Sequence, residues 1–272
     1  MTDELLKSEP ILRLACSLGV LTLMTLLETL HPRRDRLFLR RQRWPHNLGI
    51  SLLNGLLARI ALPTGAVAFG VLAGSHGWGL FNAVAMPAGL EVVLAVILLD
   101  LAIYGQHVLF HAVPALWRVH RMHHADLDFD VTTGTRFHPL EIFLSFGIKF
   151  VIVVAIGAPP LSVLIFEVLL NATALFNHSN LRLPPLLDRL LRCLIVTPDM
   201  HRVHHSIVQC ETNSNFGFNL PWWDWLFRTY RPQPAAGHDA MILGIDQFRD
   251  GQELHLNRML TQPFRPGRKR VT

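Results

Sequence analysis

Residues 88–111 read AGLEVVLAVILLDLAIYGQHVLFH, and this apolar run that ends in two histidines indicates the fold class. A helix needs about 20 mostly apolar residues to cross a bilayer, and residues 88–110 meet that length. Asp100, Tyr104, His107 and His111 follow one another at spacings of four, three and four, so they share one face of the helix. The run therefore predicts a membrane span with a polar stripe that leads to a histidine pair.

Composition places the whole chain in the membrane class. Of 272 residues, 50% are hydrophobic and 17% are charged, and the mean hydropathy is +0.31. A soluble domain carries about 25% charged residues, so a disordered, collagen-like or disulfide-rich secreted protein is excluded. The three cysteines, Cys16, Cys193 and Cys210, show no paired spacing, which argues against a cysteine-rich zinc site or an iron–sulfur cluster.

Three further apolar regions predict the other membrane helices. Residues 14–30 form the first. Residues 48–80 are interrupted by Arg59 and Pro63, so either one long span begins near Ile50, or an interfacial helix ends at Arg59 and the span follows. Residues 142–176 are broken by Gly-Ala-Pro-Pro at 157–160, which predicts a hairpin of two tilted or partial spans.

Clustered arginines predict the orientation. A short basic loop follows the first span, and such loops mark the cytoplasmic side. The N-terminus, with Asp3 and Glu4, would then lie outside. The basic residues of the loop are Arg33, Arg34, Arg36, Arg40, Arg41 and Arg43, and those of the C-terminus, predicted on the same side, are Arg265, Arg268, Lys269 and Arg270. The arginine run abuts apolar segments and lacks a recognisable nucleic-acid module, so no nucleic-acid partner is predicted. A multi-pass protein of a bacterial inner membrane is expected.

Fifteen histidines are present, and eight of them fall into three clusters. Two clusters repeat the spacing i, i+3 and i+4, which lets adjacent rings face two neighbouring metal ions on a helix. Two single histidines flank the clusters near the same membrane face. The predicted metal ligands are His107, His111, His120, His123, His124, His138, His178, His201, His204 and His205. The remaining five, His31, His46, His76, His238 and His255, are predicted to be solvated.

Eight to ten imidazoles are too many for one zinc ion, which takes four ligands or three plus water. They suit two metal ions with five or six positions each. Imidazole accepts iron, zinc or copper, so ligand type alone does not identify the metal. Redox-active iron explains the membrane location best, because a dinuclear iron centre can use dioxygen to attack unactivated C–H bonds, and the bilayer holds substrates that carry them.

Four segments, over about residues 90–232, resemble the sterol desaturase/fatty acid hydroxylase superfamily of integral membrane di-iron enzymes. The first is Asp100 and Tyr104 ahead of His107-x-x-x-His111, and the second is the segment 131–141, VTTGTRFHPLE. The third is the box 197–206, TPDMHRVHHS, and the last is the closing motif 215–230, NFGFNLPWWDWLFRTY. Arg228 departs from the pattern, because many relatives have glycine there.

The resemblance implies an all-α fold, with a bundle of about four transmembrane helices and a cytosolic helical cap that holds a histidine-rich dimetal site. It implies N-terminal membrane helices and the arginine loop over residues 1–90, the catalytic region over 91–232 and a cytoplasmic tail over 233–272, all in one integrated domain. It also implies two iron ions, O2 as co-substrate, and hydroxylation or desaturation of a lipid such as a sterol or hopanoid, a fatty acyl chain, an ether lipid or a carotenoid. Zinc is expected to occupy the sites in some preparations. Because the chain shows no cytochrome b5 domain and no nucleotide fingerprint, electrons would come from a separate cytochrome b5-like protein, ferredoxin or reductase.

Three carboxylates are candidates to support the ligands: Asp100, Glu141 and Asp199. Asp100 would hold a ring N–H of His107 or of a neighbouring ligand, or would pair with an arginine. Arg118, Arg121 and Arg202 interleave with the ligands and would meet phospholipid headgroups, a substrate phosphate or the acidic face of an electron donor. Two other function classes stay open: a zinc-dependent membrane hydrolase, and a non-enzymatic metal-binding or transport protein.

Overall fold

A computed structural model describes residues 8–62 and 64–266, and in this part of the chain every regular element is a helix. The α-helices are α1 (Glu9–Leu30), α2 (Arg40–Ala61), α3 (Ala66–His76), α4 (Leu80–Ala83), α5 (Ala88–Ala112), α6 (Pro114–His124), α7 (Pro139–Ile156), α8 (Pro160–Asn177), α9 (Pro185–Leu191), α10 (Pro198–His204), α11 (Gln209–Thr212), α12 (Trp222–Leu226), α13 (Gly237–Ala240) and α14 (Leu256–Met259). Short 3₁₀ helices cover Val131–Thr135, Gly251–Leu254 and Gln262–Phe264. The all-α prediction is confirmed.

In the described part of the chain, five stretches are long and apolar enough to cross a membrane: α1, the region Arg40–Ala83, α5, α7 and α8. Their outer faces carry large exposed apolar side chains, among them Leu14, Leu52 and Val151. Exposed apolar surface on this scale marks an interaction with a membrane or a partner. The membrane bundle is therefore confirmed, and its five candidate spans compare with the roughly four transmembrane helices that the resemblance implies.

The predicted hairpin consists of α7 and α8, each 18 residues long, or about 27 Å at 1.5 Å per residue. Gly157 ends α7 with φ of 65°, a left-handed conformation that glycine adopts without steric penalty. A Cβ at this position would lie 2.6 Å from the carbonyl oxygen of Trp78, so the turn also packs closely on the segment before α4. Helix α7 begins directly after His138 and α8 ends directly before His178. Both outer ends of the hairpin therefore lie at the end of the bundle where the histidines are.

The membrane bundle packs around small and aliphatic side chains of α3, α5, α7 and α8. Ala66, Leu99, Val153 and Phe166 are among the buried members of this cluster. The region 48–80 is divided into α2 and α3 with a break after Ala61, close to where the second alternative of the sequence analysis breaks it. Helix α2 begins at Arg40, well before either alternative has it.

The cap lies at one end of the bundle and includes α6 and α9 to α14. Its C-terminal part is packed against the rest, since Met259 forms a buried cluster with Met122 and Ile50. The arginine loop lies at the same end, where the backbone N–H groups of Leu37 and Phe38 donate to Asp128. Asp3, Glu4, Arg268, Lys269 and Arg270 lie outside the described residues.

Candidate metal centre

Three helices and one helix end deliver nine histidines to the cap. Helix α5 ends with His107 and His111, and α6 begins two residues later with proline at its first position. Proline is favoured there because the first N–H of a helix has no intrahelical partner. Helix α10 begins in the same way at Pro198, and the Thr197 side chain accepts a hydrogen bond from the N–H of Met200. Each short helix therefore starts at a fixed point and presents its histidines inward.

The nine histidines form two groups, in each of which one ring nitrogen per residue lies within 4.8 Å of all the others. The five-histidine group is His107, His111, His120, His124 and His204. The four-histidine group is His123, His178, His201 and His205. All but His111 are buried.

Consecutive histidines serve different groups. His123 and His124 divide between the four-histidine and the five-histidine group, and His205 and His204 do the same. Two short helices thus connect both groups, as the predicted spacing requires.

Six of the nine rings have Nδ1 held by an oxygen atom, at distances of 2.7 to 3.2 Å. An oxygen that accepts a hydrogen bond from Nδ1 fixes the tautomer and leaves a lone pair on Nε2. The acceptors are the carbonyls of Phe216 for His107, Arg136 for His123, Ala174 for His178 and Ser214 for His204, and the side chains of Glu141 for His120 and Asn213 for His111.

The Nε2 atoms of His123 and His178 face each other although neither carries a proton. Both donate from Nδ1 to backbone carbonyls, which only accept, so both carry an unprotonated Nε2 when neutral. These two Nε2 atoms nevertheless lie 3.2 Å apart. Two nitrogen lone pairs at that distance repel each other unless a cation lies between or beside them. The Nε2 atoms of His107, His204 and His205 are also buried, with no hydrogen-bond partner among the described residues. The donor set therefore fits metal ions.

Burial lowers the pKa of the rings that lie outside the membrane helices, and the neighbouring histidines contribute. The pKa of His178 falls to about 3. The pKa values of His123, His124, His201, His204 and His205 fall well below the usual value, first because the rings are desolvated and then because each approaches other imidazoles. The rings are therefore neutral at pH 7, which is the form that binds metals.

The family model for fatty acid hydroxylases matches residues 92–229, the segment that contains both histidine groups. The chain belongs to the fatty acid hydroxylase family. The predicted resemblance to the superfamily is thereby confirmed.

Curated proteins similar to this member of the fatty acid hydroxylase family have lipid-related names. Ornithine lipid hydroxylase OlsE of Rhizobium tropici is 32% identical over 190 residues, which cover 68% of this chain and 54% of that protein. Alkylglycerol monooxygenase of Xenopus tropicalis is 30% identical over 158 residues, or 56% of this chain and 33% of that protein. Cholesterol 25-hydroxylase of Rattus norvegicus is 28% identical over 178 residues, which cover 63% of this chain and 57% of that protein. The chain thus spans between a third and somewhat more than half of these relatives. No solved structure matches it significantly.

His138 is the one predicted ligand that lies outside both groups. Its Nδ1 accepts a hydrogen bond from the N–H of Leu140 and caps the start of α7, and its Nε2 lies 3.3 Å from the carbonyl of Leu260. Both ring nitrogens therefore already have backbone partners. The structure gives His138 the role of a helix cap that also ties α7 to the C-terminal part of the cap.

The three candidate carboxylates differ in what they touch. Glu141 contacts a histidine of the five-histidine group, as expected of a supporting residue. Asp100 bonds neither to His107 nor to an arginine, because its carboxylate accepts from the indole N–H of Trp223 and the N–H of Leu220. Asp199 pairs with Arg33 and Arg202. Asp100 and Asp199 thus hold the surrounding segments rather than ring nitrogens.

The interleaved arginines serve the cap itself. Arg118 donates to the carbonyl of Pro263, and Arg121 donates to those of Gln262 and Arg265. Arg202 is fully buried. The contacts of Arg118 and Arg121 fasten the C-terminal segment to α6. Binding to a phospholipid headgroup, a substrate phosphate or an electron-donor protein stays a prediction for the exposed part of Arg118 alone.

Sequence reasoning missed an acidic loop next to the second histidine cluster. Asp126, Asp128 and Asp130 alternate with apolar residues after His124. The fully buried guanidinium of Arg43 binds Asp126 through two nitrogens, at 2.7 and 3.0 Å, and Asp130 at 2.5 Å. Bidentate pairs of this kind fix geometry as well as charge. The alternation of aspartates was the signal that could have identified this support.

Residues 213–216, which include the start of the closing motif, were also missed as a source of support. Asn213, Ser214 and Phe216 each provide an oxygen to a histidine of the five-histidine group. The Asp224 carboxylate accepts from the N–H groups of Phe216 and Gly217 and so holds this segment in place. Burial raises the pKa of Asp224 to about 6. Backbone carbonyls carry no sequence signature, which explains why they were not predicted.

Two cavities reach the five-histidine group from different sides. The first, of about 320 Å³, extends between the membrane helices and is lined by His107, His120 and Glu141 at its histidine end. The second, of about 310 Å³, is lined by His111, Trp117 and Asn213 and by residues of the cap. The site is thus accessible from the membrane bundle and from the cap.

Proposed function

We propose that this protein is a membrane-bound di-iron hydroxylase that uses O2 and an external electron donor to hydroxylate a lipid. The arrangement of His123 and His178, whose unprotonated nitrogens face each other, is the observation that carries the proposal. It supports a bound cation in the four-histidine group, and the five-histidine group offers a second set of imidazoles beside it.

Nine imidazoles favour iron over zinc for a functional pair, because zinc sites close with four ligands and catalytic ones use three. Two iron ions held by His107, His111, His120, His124 and His204 and by His123, His178, His201 and His205 would supply dioxygen activation and C–H oxidation. In the balanced reaction one oxygen atom enters the C–H bond as a hydroxyl group and the other leaves as water. Two electrons and two protons come from the donor and the solvent.

The chain's own residues prepare this reaction in three ways. Carbonyl oxygens and Glu141 hold Nδ1 of the rings, so Nε2 stays free for a metal. Burial lowers the pKa of the rings of the four-histidine group, which keeps them neutral, and it limits the access of water. A lipid that enters the cavity between the membrane helices can reach His107 and His120 while it stays inside the bundle.

A lipid substrate is supported by the five candidate spans and by the names of the relatives, which are lipid hydroxylases and monooxygenases. These names favour hydroxylation over desaturation. The donor is a separate protein of the cytochrome b5-like, ferredoxin or reductase type. The arginine loop at the histidine end supports a cytoplasmic cap in a bacterial inner membrane.

The experiment that tests the proposal is hydroxylation under ¹⁸O2. Membranes that contain the full chain are incubated with reductant and ¹⁸O2, and lipids are analysed by mass spectrometry against membranes with His204→Ala. A lipid that gains one ¹⁸O atom only with the unaltered chain supports the hydroxylase. Product formation under nitrogen, or incorporation from H₂¹⁸O, would instead identify a hydrolase.

A further inference from the structure

Two charged residues of the membrane hairpin, Lys149 of α7 and Glu167 of α8, have no part in the proposed metal centre. Their side chains are buried, and Nζ of Lys149 lies 2.7 Å from one oxygen of Glu167. The other oxygen of Glu167 pairs with Arg13 of α1 at 2.8 Å. Charged groups inside a membrane are costly and usually serve a pathway or a binding site.

All three charged residues line the cavity that reaches the metal centre. The same cavity contacts His107 and His120 at its other end, and six α-helices, α1, α2 and α5 to α8, contribute to its wall. Polar side chains continue between the two ends, among them Gln106, Ser145 and Asn171. Polar side chains in this wall would not favour the binding of a plain hydrocarbon chain. Such a ligand would remove water from them without offering a hydrogen-bond partner, which costs free energy.

The helix geometry gives the distance between the two ends. Glu141, Ser145 and Lys149 follow one another at intervals of four on α7, and all three line the cavity. The eight residues from Glu141 to Lys149 rise about 12 Å at 1.5 Å each. Glu141 bonds to His120, so the Lys149 end lies roughly this far from the five-histidine group.

We infer that Lys149, held by Glu167 and Arg13, binds an oxygen-bearing polar group of the lipid substrate and thereby selects the carbon that is presented to the histidines. The ammonium group of Lys149 has three donors, one of which is directed to Glu167. The remaining donors suit a hydroxyl or carboxyl oxygen. The substrate class is therefore an amphiphile whose reacting carbon lies about 12 Å from an oxygen function. This inference rests on the proposed function for the chemistry at the histidine end, but the binding itself does not require metal.

Native mass spectrometry of the purified full chain tests the inference without any turnover. The probes are hexadecan-1-ol, hexadecanoic acid and hexadecane, which share one chain length and differ in the oxygen function. We expect the unaltered chain to retain one molecule of the alcohol or the acid and to retain hexadecane at least tenfold less. A hydrogen bond to a charged group contributes about 1.5–3 kcal/mol, which corresponds to a factor of about ten or more. Preference for the acid over the alcohol would identify an anionic group as the ligand.

Three variants make the test specific. Lys149→Met should reduce retention of the preferred probe about tenfold, and it leaves Glu167 paired with Arg13, so no unpaired carboxylate is created. Lys149→Arg should restore retention because it keeps the cation. Arg59→Met is the matched control, since Arg59 is an exposed cation of α2 outside the cavity lining, and it should behave like the unaltered chain.

Two results would overturn the inference. Equal retention of hexadecane, hexadecan-1-ol and hexadecanoic acid would mean that the cavity does not recognise an oxygen function. Unchanged retention in Lys149→Met, with a lower melting temperature, would mean that the ion pair only fastens α1, α7 and α8 together. Since neither readout involves iron or oxygen, loss of this inference leaves the proposed hydroxylase untouched, and the reverse also holds.

Discussion

Glu141 accepts a hydrogen bond from Nδ1 of His120 over 2.7 Å, although the two residues lie on different helices. The bond connects the start of the membrane hairpin to the five-histidine group. It is the one predicted contact between a carboxylate and a candidate ligand that the structure contains among the described residues. Carboxylates in this position orient the ring and increase its basicity toward a metal.

We therefore expect Glu141→Ala to weaken metal binding by about 10- to 100-fold, the usual effect of losing such a partner. Glu141→Gln should have a smaller effect, because its amide oxygen still accepts from Nδ1. Both variants are compared in iron-binding titrations against a competing chelator. Equal affinities for Glu141→Ala and the unaltered chain would show that His120 needs no support from α7.

The two histidine groups predict separate losses of metal. His123→Ala removes a member of the four-histidine group and His204→Ala removes a member of the five-histidine group. Each variant should lose all turnover and still insert into membranes. Its metal content should fall from about two ions to about one ion per chain. His76→Ala, an exposed position on α3 far from both groups in sequence, is the control and should keep full metal content. Retained turnover in either variant would argue strongly against the site.

Arg228 illustrates how a departure from the family pattern can be read in the structure. The residue has φ of 59°, in the left-handed region that favours glycine, and glycine is what many relatives have there. A side chain in this conformation costs about 1–2 kcal/mol. The sequence identified the position, but only the backbone angle gives the physical reason for the family's preference.

Arg228→Gly should therefore raise the melting temperature, with a gain of up to about 1 kcal/mol after the greater freedom of glycine in the unfolded chain is subtracted. Arg189→Gly, at an exposed position inside α9, is the opposite control and should lose about 1 kcal/mol. Thermal unfolding in the same detergent measures both. A lower melting temperature for Arg228→Gly would mean that the arginine side chain makes a contact worth more than the strain.

His238 gives a prediction about pH, and it corrects the expectation that this histidine is solvated. The ring is buried, and burial, with Arg202 and Arg33 nearby, lowers its pKa to about 4 although Asp199 acts in the opposite direction. The unfolded chain binds a proton here near pH 6.5, whereas the folded chain does so only near pH 4. Stability from this residue is therefore complete above pH 6.5 and is lost as the pH falls toward 4.

His238→Gln, which does not titrate, removes this dependence. The melting temperature of the unaltered chain should exceed that of the variant at pH 7.5, and the difference should shrink at pH 5. The other histidines titrate in both proteins, so their contribution cancels in the difference. A gap that stays constant between the two pH values would show that the pKa of His238 is not lowered.

How far the sequence predicts this molecule depends on the kind of signal. Apolar length and proline breaks locate α5 and the hairpin of α7 and α8, because a bilayer imposes length and proline imposes boundaries. Histidine spacing identifies eight of the nine residues of the two groups, because helical periodicity brings positions three and four apart onto one face, and the ninth, His178, is predicted from its place near the same membrane face. His138 is a single histidine like His178, so the sequence does not distinguish the two, and the structure makes it a helix cap outside both groups.

The arginine loop shows what the sequence does not reveal. Its charges predict a side of the membrane, but Arg43 is buried against Asp126 and Asp130, more than 80 residues away in the chain. Arg36 and Arg40 pair with the buried Glu28 of α1, which lies only 8 and 12 residues away from them. Pairings between distant segments depend on the packing of the helices, and a single sequence carries no spacing that encodes them. The carbonyl acceptors of the histidines escape prediction for the same reason.

The most direct test of the central claim is Mössbauer spectroscopy of the detergent-purified chain, produced in cells grown on iron-57, together with its metal content. We expect about two iron ions per chain with the spectrum of an antiferromagnetically coupled pair, and loss of that coupling in both His123→Ala and His204→Ala. An active preparation that contains only zinc, or activity that persists without oxygen, would contradict it.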